Sequence, residues 1–493
     1  MNKRLKAVCN RTVGKVILEL AIFNFLFLGT EYLFDDRMTW VTDAQGVVKA
    51  QNYILGISVI GFWLFPVLYR WIKGTLRRGV GTALAVLGVA GIFLMQLHQS
   101  YLQLFLSGCL VFVILGLIGG AVHYIAAREL RNFPYLATVI GLAYALGILF
   151  QYLNHVLIRG VLMEALVLTL AVIVLVLLLQ KCEKNAGEND IDERNVDGIA
   201  EERYRLSPEK AGVVLFLIII LMTCIFSTLD NAVTLGHADG VMDIGQWPRL
   251  LLAVSGCLAG FLFDIRRRKY MNLIMYCITL LSTICVVIIQ WGGMFLVGLT
   301  VFYLSAGFFV VYFTTGFMEL ARYAKLPELW AGMGRAANNL CAIITGAYSV
   351  HLLASGSYMA IIIVALVLFM LLSVGMTVYT NLMTQPPEVN KRAETDKEKE
   401  TDQEAEMGGQ ITEEEKLAAF VNTYSLTQRE QEVLQVLLSS DENVQNIAEQ
   451  LFISRAALYR HITSLNEKTE TKSRIGLIQF YYSWLPSVKA EEK

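Results

Sequence analysis

The stretch Tyr424-Ser-Leu-Thr-Gln-Arg-Glu-Gln-Glu-Val-Leu-Gln-Val-Leu-Leu438, followed by Asn443-Val-Gln-Asn-Ile-Ala-Glu-Gln-Leu-Phe-Ile-Ser-Arg-Ala-Ala-Leu-Tyr-Arg-His-Ile462, carries the clearest pattern in the chain. Thr427 stands before an apolar-periodic run and Glu430 follows it by three residues, the signature of a helix-starting capping box. Val433, Leu434, Leu437 and Leu438 supply the apolar stripe of that helix. A second helix is expected over about 444–451, burying Ile447, Ala448 and Leu451, with Leu451-Phe-Ile453 as the turn. Ser454 should cap a third helix of about 455–468. Leu458, Ile462 and Leu465 recur at four and three, so that face points inward. Arg455, Tyr459, Arg460, Thr463 and Lys468 fall elsewhere on the wheel. Apolar inward, basic and hydrogen-bonding outward is what a helix lying in a DNA major groove requires.

Leu426-Thr-Gln-Arg-Glu430-Gln-Glu-Val-Leu434 resembles the opening of LuxR-type (NarL/FixJ-like) helix-turn-helix domains. The resemblance implies a four-helix domain that binds double-stranded promoter DNA. It puts the groove-facing positions on Tyr459, Arg460 and Thr463. It makes Lys472-Ser-Arg474 a phosphate-contacting turn into a last helix, 474–484, which often forms a homodimer contact in the family. Ser454 and Arg455, at the start of the recognition helix, complete the expected DNA-binding set. The sequence departs from the family in Ser439-Ser-Asp-Glu-Asn443 between the first two helices, in Ala457-Leu458 before the groove positions, and in Thr469-Glu-Thr after the recognition helix. The fold tolerates these changes, but the family's base preference does not carry over.

The segment is attached to a very different chain. Of 493 residues, 55% are hydrophobic and only 17% charged, and the mean hydropathy is +0.53. That excludes an ordinary soluble protein of this length. The net charge is −1, so DNA affinity must come from a local patch and not a global basic field. The eight cysteines are scattered, without a CxxC or a His/Cys cluster, and read as reduced thiols in an apolar core. The basic N-terminus leads into a long run holding Glu19 and Glu31 without a small-residue cleavage site, so it reads as a retained first span.

Twelve runs of roughly 20 apolar residues qualify as spans. They begin about 13–34 and 52–72 and end about 329–353 and 357–382. Residues 1–383 are therefore expected to form a twelve-helix membrane domain with a central loop at about 181–210. A polar, charged linker is expected at 384–415, ahead of the DNA-binding domain at 416–493. The fold class is all-α: a polytopic bundle of two six-helix halves plus a small helical domain. With the N-terminus inside, Lys3, Arg4, Arg70, Lys73, Arg77, Arg78, Arg128, Arg131, Arg266 to Lys269, Arg322 and Lys325 share one side. Only Arg37, Lys49, Arg159 and Arg249 lie opposite. The basic side is cytoplasmic by this bias. An even number of spans returns the C-terminus to the same side.

The halves look alike. Ala127-Arg-Glu129-Leu-Arg and Phe317-Met-Glu319-Leu-Ala-Arg are each followed by a proline, Pro134 and Pro327, and a glycine, Gly141 and Gly334. Two such halves with a long central loop resemble the major facilitator superfamily. That superfamily's loop signature between spans two and three survives only in fragments in Trp71-Ile-Lys-Gly-Thr-Leu-Arg-Arg-Gly79, and its acidic residue is missing. Ionisable groups inside spans mark pockets or pairing sites. The resemblance places spans one, four, seven and ten around a central cavity shared by Glu31, His123, Asp230 and Asn231. Arg335 is expected to pair with Glu319.

These readings converge on a membrane-bound transcription regulator that senses a small molecule of unknown identity, or a membrane signal, and acts at promoter DNA. The alternative is a major-facilitator-type secondary transporter with a regulatory DNA-binding tail. No Walker motif, zinc-ligand spacing or nucleophile constellation is present, so neither enzyme activity nor a cofactor is expected. The expected location is the bacterial cytoplasmic membrane, with both termini cytoplasmic. A reporter fused after residue 383, or within 185–205, should therefore report cytoplasm. An external signal at either site would overturn the topology.

Overall fold

Among the described residues, twelve helices of 16 to 31 residues overlap the apolar runs predicted as spans. The computed structural model describes residues 7–97, 100–158, 160–186, 208–238, 248–290, 295–354, 358–384, 413–439, 447–448, 453–469 and 474–484, with a few isolated neighbours. The first six long helices are α1 (Arg11–Met38), α2 (Ala44–Trp71), α3 (Gly74–Gln96), α4 (Tyr101–Glu129), α5 (Leu136–Leu157) and α6 (Val161–Ala186). The second six begin with α7 (Pro208–Ala238), α8 (Pro248–Phe263), α9 (Met271–Gln290) and α10 (Phe295–Ala321). A single turn, α11 (Pro327–Trp330), precedes α12 (Met333–Ala354) and α13 (Tyr358–Thr384). Among the described residues nine of these helices are long and apolar enough to cross a bilayer. The described parts of α8 and α9 are shorter apolar helices. No strand occurs among the described residues.

Local chemistry sets the helix ends. Asn10 accepts from the Thr12 amide (3.2 Å), and Asp43 accepts from the Gly46 amide (2.9 Å). Arg77 closes the break after α2 by donating to the Tyr69 (2.6 Å) and Ile72 (2.7 Å) carbonyls. Those carbonyls lack partners within their own helix, and a cation at a helix C-terminus is favourable.

Glycines let the central helices meet. α4 lies so close to α2 that a Cβ on Gly116 would sit 2.0 Å from the Ser58 carbonyl. Across the two halves, a Cβ on Gly141 of α5 would lie 2.4 Å from the Gly256 carbonyl of α8. With no hydrophobic drive between helices in lipid, such close backbone packing is a main source of association. The peripheral helices do the opposite: α13 leaves Met359, Ile363, Leu366 and Met370 exposed, an apolar surface suited to lipid.

The halves are also tied by charge at the end that carries the basic loops. Asp264, just past α8, accepts from the Thr138 amide and hydroxyl (both 2.7 Å) at the start of α5. Arg268 donates to both Glu319 oxygens (2.9 Å each), to Asp264 (3.3 Å) and to the Pro134 carbonyl (3.1 Å). Arg70 pairs with Glu328 across the halves. Arg266, Arg267 and Arg268 all have positive φ, a turn that costs side-chain-bearing residues about 1–2 kcal/mol each and is held here by the Arg268 network.

The chain divides into two compact units, Met1–Glu388 and Val389–Lys493. The second has its own core. Its described helices are α14 (Glu413–Thr423), α15 (Gln428–Ser439), α16 (Arg455–Lys468) and α17 (Arg474–Ser483). Between α15 and α16 the helical residues Ile447 and Ala448 are buried, and Leu451 closes a helical bond to Ile447 (3.1 Å).

The glycine contacts yield opposite expectations at two sites. Gly141→Ala should destabilise the detergent-solubilised chain by about 1–3 kcal/mol, because the new methyl meets backbone that cannot yield. Gly79→Ala, with open space around its Cβ, should be neutral or slightly stabilising. Thermal unfolding checks this; equal effects at both positions would refute the packing argument.

Candidate functional site

Two sites emerge, one in each unit. In the second, a single carboxylate organises the helix pair. Glu430, in the first turn of α15, accepts from the Thr427 amide (2.8 Å) and hydroxyl (2.9 Å), which closes the capping box. Its other contacts come from α16: Ser464 donates to it at 2.6 Å and Lys468 at 2.7 Å. Lys468 also donates to the carbonyl of Ser425 (3.0 Å), whose own φ of 51° makes the turn before α15. Burial raises the pKa of Glu430, but the hydrogen bonds from Lys468, Ser464 and Thr427 outweigh it and hold the group at about 2. Arg429 adds a further tie, donating to the Leu451 carbonyl at 2.7 Å.

With α15 fixed against α16, Leu458, Ile462 and Leu465 are buried and the opposite face of α16 is exposed. Ser454 caps the helix, accepting from the Ala457 amide at 3.2 Å. Arg455, Tyr459, Arg460 and Thr463 are exposed together, and the Thr463 hydroxyl donates to the Tyr459 carbonyl (2.9 Å). Lys468 bonds to Glu430 and Ser425, which gives it a structural role in addition to the DNA contact expected of it. Lys472 and the Arg474 side chain lie outside the described residues.

Sequence reading missed α14. Phe420 is fully buried there and touches the rings of Tyr424, Tyr481 and Trp484. The signal was available, since Leu417, Phe420, Val421 and Tyr424 follow helical spacing.

In the membrane unit a cavity of about 170 Å³ lies between the halves. Glu31, Asp35, Gln51 and Asn52 line it from α1 and α2; Arg335, Asn338 and Asn339 line it from α12. α5, α7, α8 and α10 contribute Tyr144, Thr223, Arg249 and Tyr303. Gln51 donates to Glu31 at 2.9 Å. Asn339 donates to Ser58 at 2.8 Å and Arg335 to Asn24 at 3.0 Å, both across the halves. Asn24 donates an amide proton to the Leu20 carbonyl (2.9 Å), and its oxygen accepts from the guanidinium.

The structure thus brings Glu31 and Arg335 to one cavity and corrects two expectations. α4 does not line it. His123 is buried 2.7 Å from the Gly119 carbonyl, against the rings of Phe23 and Phe62, because close packing draws α4 onto α2. Glu319 is not the partner of Arg335; the nearer Arg268 takes both its oxygens. Asp230 and Asn231 fall on α7, but their side chains lie outside the described residues. Sequence reading also missed Asp264, although Gly260-x-x-x-Asp264 echoes in the second half the acidic position absent from 71–79.

Residues 424–481 match the model of the luxR family of bacterial regulatory proteins. That segment is a LuxR-family helix-turn-helix DNA-binding domain. The membrane unit shares its fold with solved transporters. A POT family transporter in complex with a thioalcohol-conjugated peptide superposes with a TM-score of 0.55 at 13% identity, over 76% of this chain and 97% of that one. A POT family transporter in complex with 5-aminolevulinic acid gives 0.55 at 14% over the same shares. An auto-inhibited POT family peptide transporter gives 0.52 at 13%, over 77% and 99%. At this identity the likeness is one of fold alone. Comparison with curated protein sequences gave no match.

The Glu430 hub should make the LuxR-family domain acid-sensitive in a defined window. A carboxylate at about 2 when folded and near ~4.3 when unfolded contributes its full stability above the unfolded value. That contribution is lost as pH falls from there through the folded value. In urea unfolding of residues 410–493, Glu430→Gln should cost about 2–3 kcal/mol at neutral pH. It should also flatten the decline between pH 5 and pH 2. Lys468→Ala should destabilise likewise; an effect of Lys468→Ala on DNA binding alone, with stability intact, would refute the structural assignment.

Proposed function

We propose that the chain is a membrane-bound transcription regulator: the twelve-helix unit senses a small molecule and the LuxR-family domain acts at promoter DNA. One observation carries this reading. A DNA-binding helix with Arg455, Tyr459, Arg460 and Thr463 exposed shares a chain with a transporter-type bundle that holds a polar cavity. DNA confines the working domain to the cytoplasm, and the basic-loop bias independently puts it there. The bacterial cytoplasmic membrane is the location this implies.

In this reading Arg460 and Tyr459 read base edges, and Arg455 at the helix start holds phosphate or base. Ser454 positions them by capping. Lys472 and Arg474 remain candidates for phosphate contacts. One such unit meets few phosphates and should bind weakly at physiological salt. Tight binding therefore requires two copies on half-sites about one helical turn apart, as a homodimer.

Arg460→Ala in residues 410–493 should lower affinity for a selected operator by about 1–3 kcal/mol and relax preference at one base pair. Forced dimerisation of the same segment should give tight operator binding without the membrane unit. Sequence-independent loss from Arg460→Ala would remove the base-reading role. Solute accumulation by the full chain in vesicles, with operator occupancy unaffected by that solute, would favour a transporter instead.

A further inference from the structure

The cavity walls hold two guanidiniums with unused donors. Arg249 and Arg335 are 8% and 5% exposed, and both line the cavity. The Nε of each has no hydrogen-bond partner among the described residues. Arg335 is gripped by the rings of Phe27 and Phe313, centred 5.3 and 5.4 Å from its Cζ. Stacking on ring faces leaves the in-plane N–H donors of a guanidinium for other groups, and only Asn24 takes one by a described bond. Glu31, by contrast, already accepts from Gln51. Glu31 and Asp35 line the same cavity, but no ion pair joins either to these guanidiniums among the described residues, and an oxyanion delivered by a ligand would meet the free donors in bidentate geometry. Apolar surface stands beside these cations, from Phe226, Leu252, Phe302 and Phe309.

We propose that the cavity binds a small organic carboxylate, its anionic end taken by the guanidiniums of Arg249 and Arg335 and its apolar body by the surrounding rings. The proposal rests on the reading of the membrane unit as a ligand sensor and names the class of ligand.

The test uses the full chain in lipid nanodiscs, with benzoate and hexanoate as probes and benzamide and benzylammonium as neutral and cationic counterparts. Both carboxylates should raise the melting temperature and show saturable binding, and the counterparts should not. Arg249→Gln and Arg335→Gln should each weaken benzoate binding about tenfold or more, the loss expected for a charge-assisted hydrogen bond. Should an arginine variant fail to fold, the benzoate–benzamide comparison on the parent chain still decides. Equal binding of benzamide, preference for benzylammonium, or no shift with either carboxylate would overturn the proposal. Carboxylate binding that leaves operator occupancy unchanged would instead overturn the sensor reading and leave the ligand class standing.

Discussion

A polar or charged side chain in hydrocarbon must find its partner inside the protein, and the membrane unit is arranged around that requirement. Glu19 of α1 accepts from the Cys182 thiol (3.0 Å) and faces Lys15 at 3.9 Å. Asn24 meets Arg335, Ser58 meets Asn339, and Asp264 meets the amides that open α5. Most of these bonds join one six-helix half to the other. They are worth little individually, about 1 kcal/mol by analogy with other membrane helices. Their value is in register: an amide or carboxylate left without its partner in the bilayer is penalised, so few relative placements of the halves survive. At the cavity wall Arg249 and Arg335 each keep an Nε without a hydrogen-bond partner among the described residues.

The DNA-binding unit solves a related problem in water with one buried carboxylate. Glu430 joins the turn before α15, the first turn of α15 and the last two turns of α16. The angle between these helices decides how far the recognition helix projects into a groove, so the hub sets the geometry of reading. It also redistributes charge. With Lys468 paired to Glu430, the exposed arginines of α16 lie toward its N-terminal half, at Arg455 and Arg460. That is the half which enters the groove in helix-turn-helix domains.

How legible this was depends on the range of the interactions involved. Helix positions were readable because span length and the apolar wheel are local properties, and the capping box at Thr427 and Glu430 is local too. Pairing was not. Glu319 and Arg335 are close in sequence and face each other on paper, yet Arg268, 51 residues from Glu319, takes the carboxylate. His123 has the composition of a pocket residue, but three glycines on α4 pull that helix into contact with α2, and the ring turns to Gly119, Phe23 and Phe62. Such outcomes depend on helix packing that no single segment encodes. Asp264 and α14 were different: each left a local trace, a glycine–aspartate spacing and a helical apolar repeat, that a closer reading recovers.

On the proposed reading, coupling between the two units is a question of mass action. A ligand shifts an equilibrium only by its differential affinity for two states of the bundle, however tightly it binds. Closing a cavity around an anion draws on interactions across the interface of the two halves, since Arg335 bonds to the first half while belonging to the second. Ligand binding and the relative placement of the halves are therefore linked through the same guanidinium. The DNA-binding domain needs no matching internal switch. Where one copy binds DNA weakly, bringing two copies together on one membrane raises their effective concentration without any new contact to DNA. A change in how membrane units associate then suffices to change promoter occupancy.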